Sequence, residues 1–398
     1  MSFDFNTPIS RKNTNAMSLL GYRDYLFTET DAFDSDYSDT DLIPMWIADM
    51  EFKSPPAVID AIKERADHGI FGYSQIFDQE FKTIFLRWSE KRYDWHFNTE
   101  HLVFSAGVIP ALFNLTKHCC AKDENVLIFT PSYAFFKLAA DRGGNTLVTS
   151  DLRHVDGRYE IDFEDFEEKA KDPKTTLCIF CNPHNPTGRV WSVEELRRVG
   201  EIALENGLRI LSDEIHCDLL RVGQTFTPLA KLFPDSDLII TCMAASKTFN
   251  MAGFMLAQTI IPEDSLRNTW LKSELPVQNP LSIVAVQAAY ANGAEWLDAL
   301  RSYLDGNFSF VASYLKKYLP EAKFRIAEAT NLAWVNVEAY LPNEENLTLF
   351  FANKAGVLLE GGNMFVSNGD GYIRLNLACP RVQVEKCLER IAKVLLGH

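Results

Sequence analysis

The chain has 398 residues, 39 basic and 54 acidic, for a net charge of −15 with histidine neutral. That length can bury a large core without disulfides or metals, as one large α/β unit or two to three domains. No basic block offsets the acidity, which argues against a nucleic-acid partner. No apolar run approaches the ~18 residues of a membrane span, and the opening MSFDFNTPISRKN lacks the basic-then-apolar signature of a secretory signal. A soluble cytoplasmic protein is expected.

Residues 1–50 are irregular and polar and end in the apolar MWIADMEF. Too short to form a core alone, this arm is expected to join a later lobe or a partner subunit. After Pro55-Pro56, AVIDAIKERADHG has helical spacing with a proline start and a glycine stop. From about residue 100, short apolar runs (NVLIFT, TLVTSD, TLCIFC, LRILSD, LIITCM) alternate with helical stretches such as WSVEELRRVGEIALENG. Runs that are apolar on both faces, spaced by helices, predict a parallel sheet covered on each side. A long helical region follows near 281–318. KFRIAEA, LAWVNVEAY, GYIRLNLA and a final helix VEKCLERIAKVLL then suggest a smaller α+β lobe. The expected division is an arm with part of the small domain over 1–50, a large α/β domain over 51–285, and an interdomain helix with a small C-terminal domain over 286–398. Cys178 and Cys181 are spaced C-x-x-C, but within a strand they fall on opposite faces, so neither a metal nor a redox role is expected. Without H-E-x-x-H or paired C-x-x-C motifs, a zinc site has no support.

Ligands of open α/β sheets bind beyond the carboxyl ends of the strands. There the sequence offers Asn182-Pro183-His184-Asn185-Pro186-Thr187-Gly188, then Asp213-Glu214-Ile215-His216, then Ser246-Lys247. Singly, each has a plain reading: the aspartate as a helix cap, the lysine as a solvated charge. Together they supply what pyridoxal phosphate requires: a lysine for its aldehyde, a carboxylate for its ring nitrogen and a hydrogen-bond donor for its phenolic oxygen. Ser105-Ala106-Gly107-Val108-Ile109-Pro110 precedes a helical stretch and offers backbone N–H groups for a phosphate.

The set N-P-H-N-P-T-G, S-D-E-I-H, S-K-T-F-N and I-R-L-N resembles the fold-type-I pyridoxal-phosphate superfamily of class I/II aminotransferases, in order over nearly the whole chain. The resemblance implies a mostly parallel central sheet in the large domain and a smaller α+β C-terminal domain. It implies Lys247 as the Schiff-base lysine, Asp213 as partner of the pyridine nitrogen and Asn185 as donor to the phenolic oxygen, with His216 nearby. By the same resemblance Tyr133 stacks on the ring, the amides of Val108 and Ile109 meet the phosphate, and Ser246 is the nearby hydroxyl. Arg374 grips the substrate α-carboxylate. Tyr73 reaches the phosphate of the neighbouring subunit, which implies a homodimer with shared sites.

W-I-A-D-M-E-F, G-I-F-G-Y, D-E-I-H and K-T-F-N resemble one branch, the cystathionine β-lyase and cystalysin type of C–S lyase, as does Met255 where aminotransferases usually carry an arginine. The arm (Ser18-Leu19-Leu20), Thr330–Trp334 and Ala134 depart from that branch at positions that could line a substrate entrance. The implied function is cleavage of a β-thio amino acid to a thiol, pyruvate and ammonia. The alternatives are an aminotransferase using the same residues, and a pyridoxal-phosphate fold with a regulatory protein-binding role. His184 is expected to be structural, Asp49 to anchor the arm or sit in the site, and Trp46 and Trp334 to pack.

Overall fold

The computed structural model describes residues 3–28 and 32–397. The run NVLIFT is a strand whose six residues are all buried, as a sheet covered on both faces requires. It is β2 of a seven-stranded sheet made of β1 (Leu102–Ser105), β2 (Asn125–Thr130), β3 (Thr146–Asp151), β4 (Thr175–Cys181), β5 (Arg209–Asp213), β6 (Ile239–Met243) and β7 (Ala257–Ile260). The spatial order is β1-β7-β6-β5-β4-β2-β3. Strands β2 to β6, the five apolar runs, pair in parallel, while β7 is antiparallel to both β1 and β6. The apolar pattern does not mark β7, because Gln258 and Thr259 are buried within it. Tyr290 Oη donates to Gln258 Oε1 at 3.2 Å, which offsets part of that burial.

Local signals set the helix ends. Ser192 and Glu195 cap each other's backbone N–H at the start of Val193–Glu205. The 281–318 region divides into helices Pro280–Asn292 and Ala294–Tyr318. At Gly293 between them, a Cβ would lie 2.4 Å from the Phe249 ring. The second helix carries two cores: Leu297, Leu300 and Leu304 pack with the large sheet's flank, Phe308, Val311 and Leu315 with the C-terminal lobe.

That lobe is an antiparallel sheet of β8 (Leu332–Asn336), β9 (Glu360–Gly361) and β10 (Tyr372–Asn376), in the order β8-β10-β9. KFRIAEA does not join it as a strand. Lys323 makes a single bridge to Asn336, and the adjacent Arg325 and Ile326 both face solvent. The arm joins this lobe: Ile43-Pro44 pairs in parallel with Val357-Leu358, and Tyr22, Leu26 and Trp46 pack on Ala352 and Leu358. Cys178 and Cys181 enter different cores on opposite faces of the sheet, and among the described residues no cluster could hold a metal ion. No helix there is long and apolar enough to cross a membrane.

Arg189, 3% exposed, follows the asparagine loop and ties the lobes together. It pairs with Glu195 at 2.5 Å and with Glu328 at 3.0 Å. Arg189→Ala leaves Glu195 without its cation, while Glu328 keeps Arg158 at 3.2 Å, and is expected to cost ~1–3 kcal/mol in urea unfolding; a loss below ~1 kcal/mol would mean the pairing contributes as little as an exposed pair.

Candidate active site

Cys181 lies opposite Asp213, and Asp213 opposite Cys242, so β4, β5 and β6 end level with one another. The chain leaving each strand enters one cavity of about 310 Å³. Asn185 returns to it from the loop after β4, Asp213 ends β5, and Ser246 and Lys247 lie on the short helix Ala245–Thr248 after β6. Val108, Ile109, Tyr133, His216 and Arg374 also line it. Tyr73 does not. It is 99% exposed, on a segment where Ile70, Phe71 and Phe77 are also open to solvent.

Gly107 caps the helix Val108–Cys119 with φ +146°, a backbone conformation that a side chain would resist. The helix therefore opens onto the cavity with its first N–H groups, an arrangement that favours an anion. Asp213 is buried and accepts from the Ile215 N–H at 3.2 Å. Burial raises its pKa to about 7, so it gains from a cation placed against it. Burial lowers His216 to about 3, making it a neutral imidazole, and its Nδ1 has no partner. Lys247 is half-buried and donates from Nζ to the Ala48 carbonyl at 2.6 Å. Desolvation lowers its pKa, which brings the free amine closer to neutral pH. Arg374 is 2% exposed; Nη1 donates to Asn185 Oδ1 and Nη2 to the Trp46 carbonyl, each at 3.1 Å.

The plainer residues have plain places. His184 is buried, with Nδ1 2.8 Å from Thr187 Oγ1. Asp49 holds Arg11 of the arm at 2.8 Å. Trp46 donates from Nε1 to the Ser18 carbonyl at 3.1 Å, and Trp334 stacks on Tyr372 with centroids 4.9 Å apart.

An anion cradle, a buried carboxylate, an amine and a guanidinium thus face one cavity. Residues 40–391 match the model of the aminotransferase class I and II family. The chain belongs to that family. It is 39% identical to cystathionine beta-lyase PatB of Bacillus subtilis over 89% of this chain and 93% of that protein. The crystal structure of the PLP-bound C-S lyase from Staphylococcus hominis superposes with a TM-score of 0.95 at 46% identity, covering 100% of this chain and 99% of that one. Cystalysin from Treponema denticola, whose structure contains pyridoxal 5′-phosphate, gives a TM-score of 0.91 at 32% identity, covering 100% of each chain. Pyridoxal 5′-phosphate is the cofactor of this family member, and the residues present fit it. The helix start suits its phosphate, Asp213 its ring cation and Lys247 its aldehyde.

Two polar residues of the cavity escaped the sequence reading. Glu360, on β9 directly opposite Arg374 on β10, forms a buried ion pair with it. It follows the apolar run V-L-L, the same signal that marked Asp213, in a lobe where that signal was not pursued. Tyr25 of the arm lines the cavity with Tyr133 and Glu360, and no pattern within the irregular arm points to it. Met17, Ile47 and Ala48 of the arm complete that wall.

Without a cation against it, Asp213 keeps its proton in the folded state up to about pH 7, whereas the unfolded chain releases it near 3.8. The stability tied to this group is full below the unfolded value and lost as pH rises through the folded one. Glu214, raised to about 8 by burial, acts with the same sign. The thermal midpoint of the cofactor-free protein should therefore fall from about pH 5 to about pH 8, and Asp213→Asn should flatten that fall. A midpoint that climbs over this window would contradict the burial argument.

Proposed function

We propose that the chain is a pyridoxal-phosphate-dependent C–S β-lyase that cleaves a β-thio amino acid to a thiol, pyruvate and ammonia. Lys247, Asp213, Asn185 and Arg374 around one sheltered cavity carry the reading, and the likeness to the C–S lyases supports it. When bound, the cofactor supplies an aldehyde that joins the substrate amine and a cationic ring that takes up electrons released at the α-carbon. Asp213 holds the ring nitrogen's proton by opposite-charge attraction. Asn185 and His216 would serve the cofactor's phenolic oxygen, Tyr133 its ring, and Ser246 with the Val108 and Ile109 amides its phosphate. Arg374 fixes the α-carboxylate, which orients the Cα–H bond toward Lys247. The Lys247 amine, its pKa lowered by burial, removes the α-proton; positioned proton transfer contributes ~10²–10⁴-fold. The β-thiolate then leaves, and hydrolysis yields pyruvate and ammonia. An aminotransferase would use the same residues, so the leaving group separates the two outcomes: thiols near pKa ~8.5 are easily expelled.

L-Cystathionine should give pyruvate, ammonia and a thiol with no added keto acid. Turnover that requires a keto acid and releases no thiol would transfer the site to the aminotransferase reading. Borohydride treatment should attach the cofactor to the peptide containing Lys247, and Lys247→Ala should lose both the attachment and nearly all turnover.

The assembly proposed is a cytoplasmic homodimer with shared sites. Exposed Ile70, Phe71, Tyr73 and Phe77 lie along one segment, bridged through Ser74 to Gln278 beside exposed Leu275 and Val277. Exposed apolar groups in such numbers call for a cover, and a second copy would bring Tyr73 to a phosphate. Inactive Tyr73→Ala and Lys247→Ala chains, refolded together, should regain activity in mixed dimers that hold one intact site. Confirmed mixed dimers without activity would overturn the shared site.

A further inference from the structure

Arg374 has five N–H groups, and its neighbours use those that a substrate needs. Nη1 donates to Asn185 Oδ1 and Nη2 to the Trp46 carbonyl, each at 3.1 Å, while Nη2 also pairs with Glu360. Nε has no partner. A carboxylate grips a guanidinium through two N–H groups on one edge, either Nε with Nη2 or Nη1 with Nη2. Both edges use Nη2, and both of its hydrogens are committed. An α-carboxylate docking in either way must therefore displace the Trp46 carbonyl or the Glu360 side chain. The Trp46 carbonyl belongs to a main chain pinned on either side. The Met45 N–H donates to the Leu358 carbonyl, the Asn376 N–H to the Met45 carbonyl, and Asn376 Nδ2 to the Ile47 carbonyl. Glu360 is the group that can yield.

Yielding has a consequence. Glu360 is 3% exposed, and a carboxylate parted from its guanidinium in such a place is strongly disfavoured. Tyr25 shares the cavity wall with it, but a neutral hydroxyl does not replace a cation. The incoming α-carboxylate also adds a like charge beside it. Because Glu360 touches Arg374 and both line the cavity, one substrate molecule can engage the two. We infer that Glu360 is a specificity-determining residue: released from Arg374 by the α-carboxylate, it takes a cationic group that the substrate carries beyond its sulfur. Among β-thio amino acids the enzyme thus selects those whose leaving thiol bears a positive charge. The inference rests on the lyase reading above and names its substrate class.

The test compares S-(2-aminoethyl)-L-cysteine with S-propyl-L-cysteine, which match in length and differ in the terminal charge. Pyruvate release gives kcat/KM, and calorimetry on the cofactor-loaded protein gives Kd without requiring cleavage. Wild type should favour the aminoethyl compound by about tenfold or more in both measures, as loss of one partner of a buried charge pair predicts. Glu360→Gln should bring the two compounds to within about twofold, mostly by weakening the aminoethyl compound. Glu360→Asp, which keeps the charge, should retain part of the preference, so the inference can be tested even if the glutamine variant loses its cofactor. Equal handling of both compounds by wild type, or a preference that survives Glu360→Gln, would overturn it. Should calorimetry show the preference while no β-thio amino acid, L-cystathionine included, yields a thiol, the lyase reading fails and the role of Glu360 stands.

Discussion

The level ends of β4, β5 and β6 are the constraint on which the rest of the site depends. The ladder continues one step past the side-chain pairs: the Asn182 N–H donates to the Asp213 carbonyl and the Glu214 N–H to the Cys242 carbonyl, each at 2.9 Å. Beyond that step there is no further strand to pair with, so each chain turns away and exposes a polar residue at the same height. Groups far apart in the sequence meet because parallel strands share one carboxyl edge. Their side chains then leave short, well-anchored segments and not free loops, so little entropy is lost when a ligand orders them.

The second constraint is electrostatic. The protein as a whole carries −15, yet the cavity sets acids against bases: Asp213 and Glu360 against Lys247 and Arg374, with Asp49 acting on Lys247 from outside its lining. Burial penalises every one of these charges, and near-neutrality inside is what makes them tolerable. The same burial brings the Lys247 amine toward the range in which a base works at neutral pH and keeps His216 uncharged. A neutral imidazole adds no further positive charge beside Lys247 and Arg374.

The chemical half of the site was legible because it obeys one rule: a polar residue at, or within four positions of, the end of a continuous apolar run. Asn185, Asp213 and Lys247 fit it, and the parallel sheet is built from the same runs. β7 was not legible, since Gln258 and Thr259 are buried where the pattern expects apolar side chains, and the Tyr290 hydrogen bond that meets Gln258 is a tertiary fact. Glu360 obeys the rule but lies in the lobe whose strands are too short to stand out. Tyr25 obeys no rule, because the arm acquires its position from the surface it packs on and not from any period of its own.

That difference in legibility follows a division of labour within the molecule. The residues proposed to hold the cofactor sit at the edge of the large sheet or, for Val108 and Ile109, at the start of a helix packed against it. The residues that complete the cavity on the other side come from elsewhere: Arg374 and Glu360, proposed to meet the substrate's carboxylate and tail, from an antiparallel pair in the small lobe, Tyr25 and Met17 from the arm that packs on it. The helix Ala294–Tyr318 and the Arg189 ion triad hold the two sets at a fixed distance. Substitutions in the arm or on β9 can therefore change which side chain is accepted while the sheet edge, and with it the proton chemistry, stays as it is. A substrate that fails to bridge the two sets would leave Glu360 and Arg374 paired to each other.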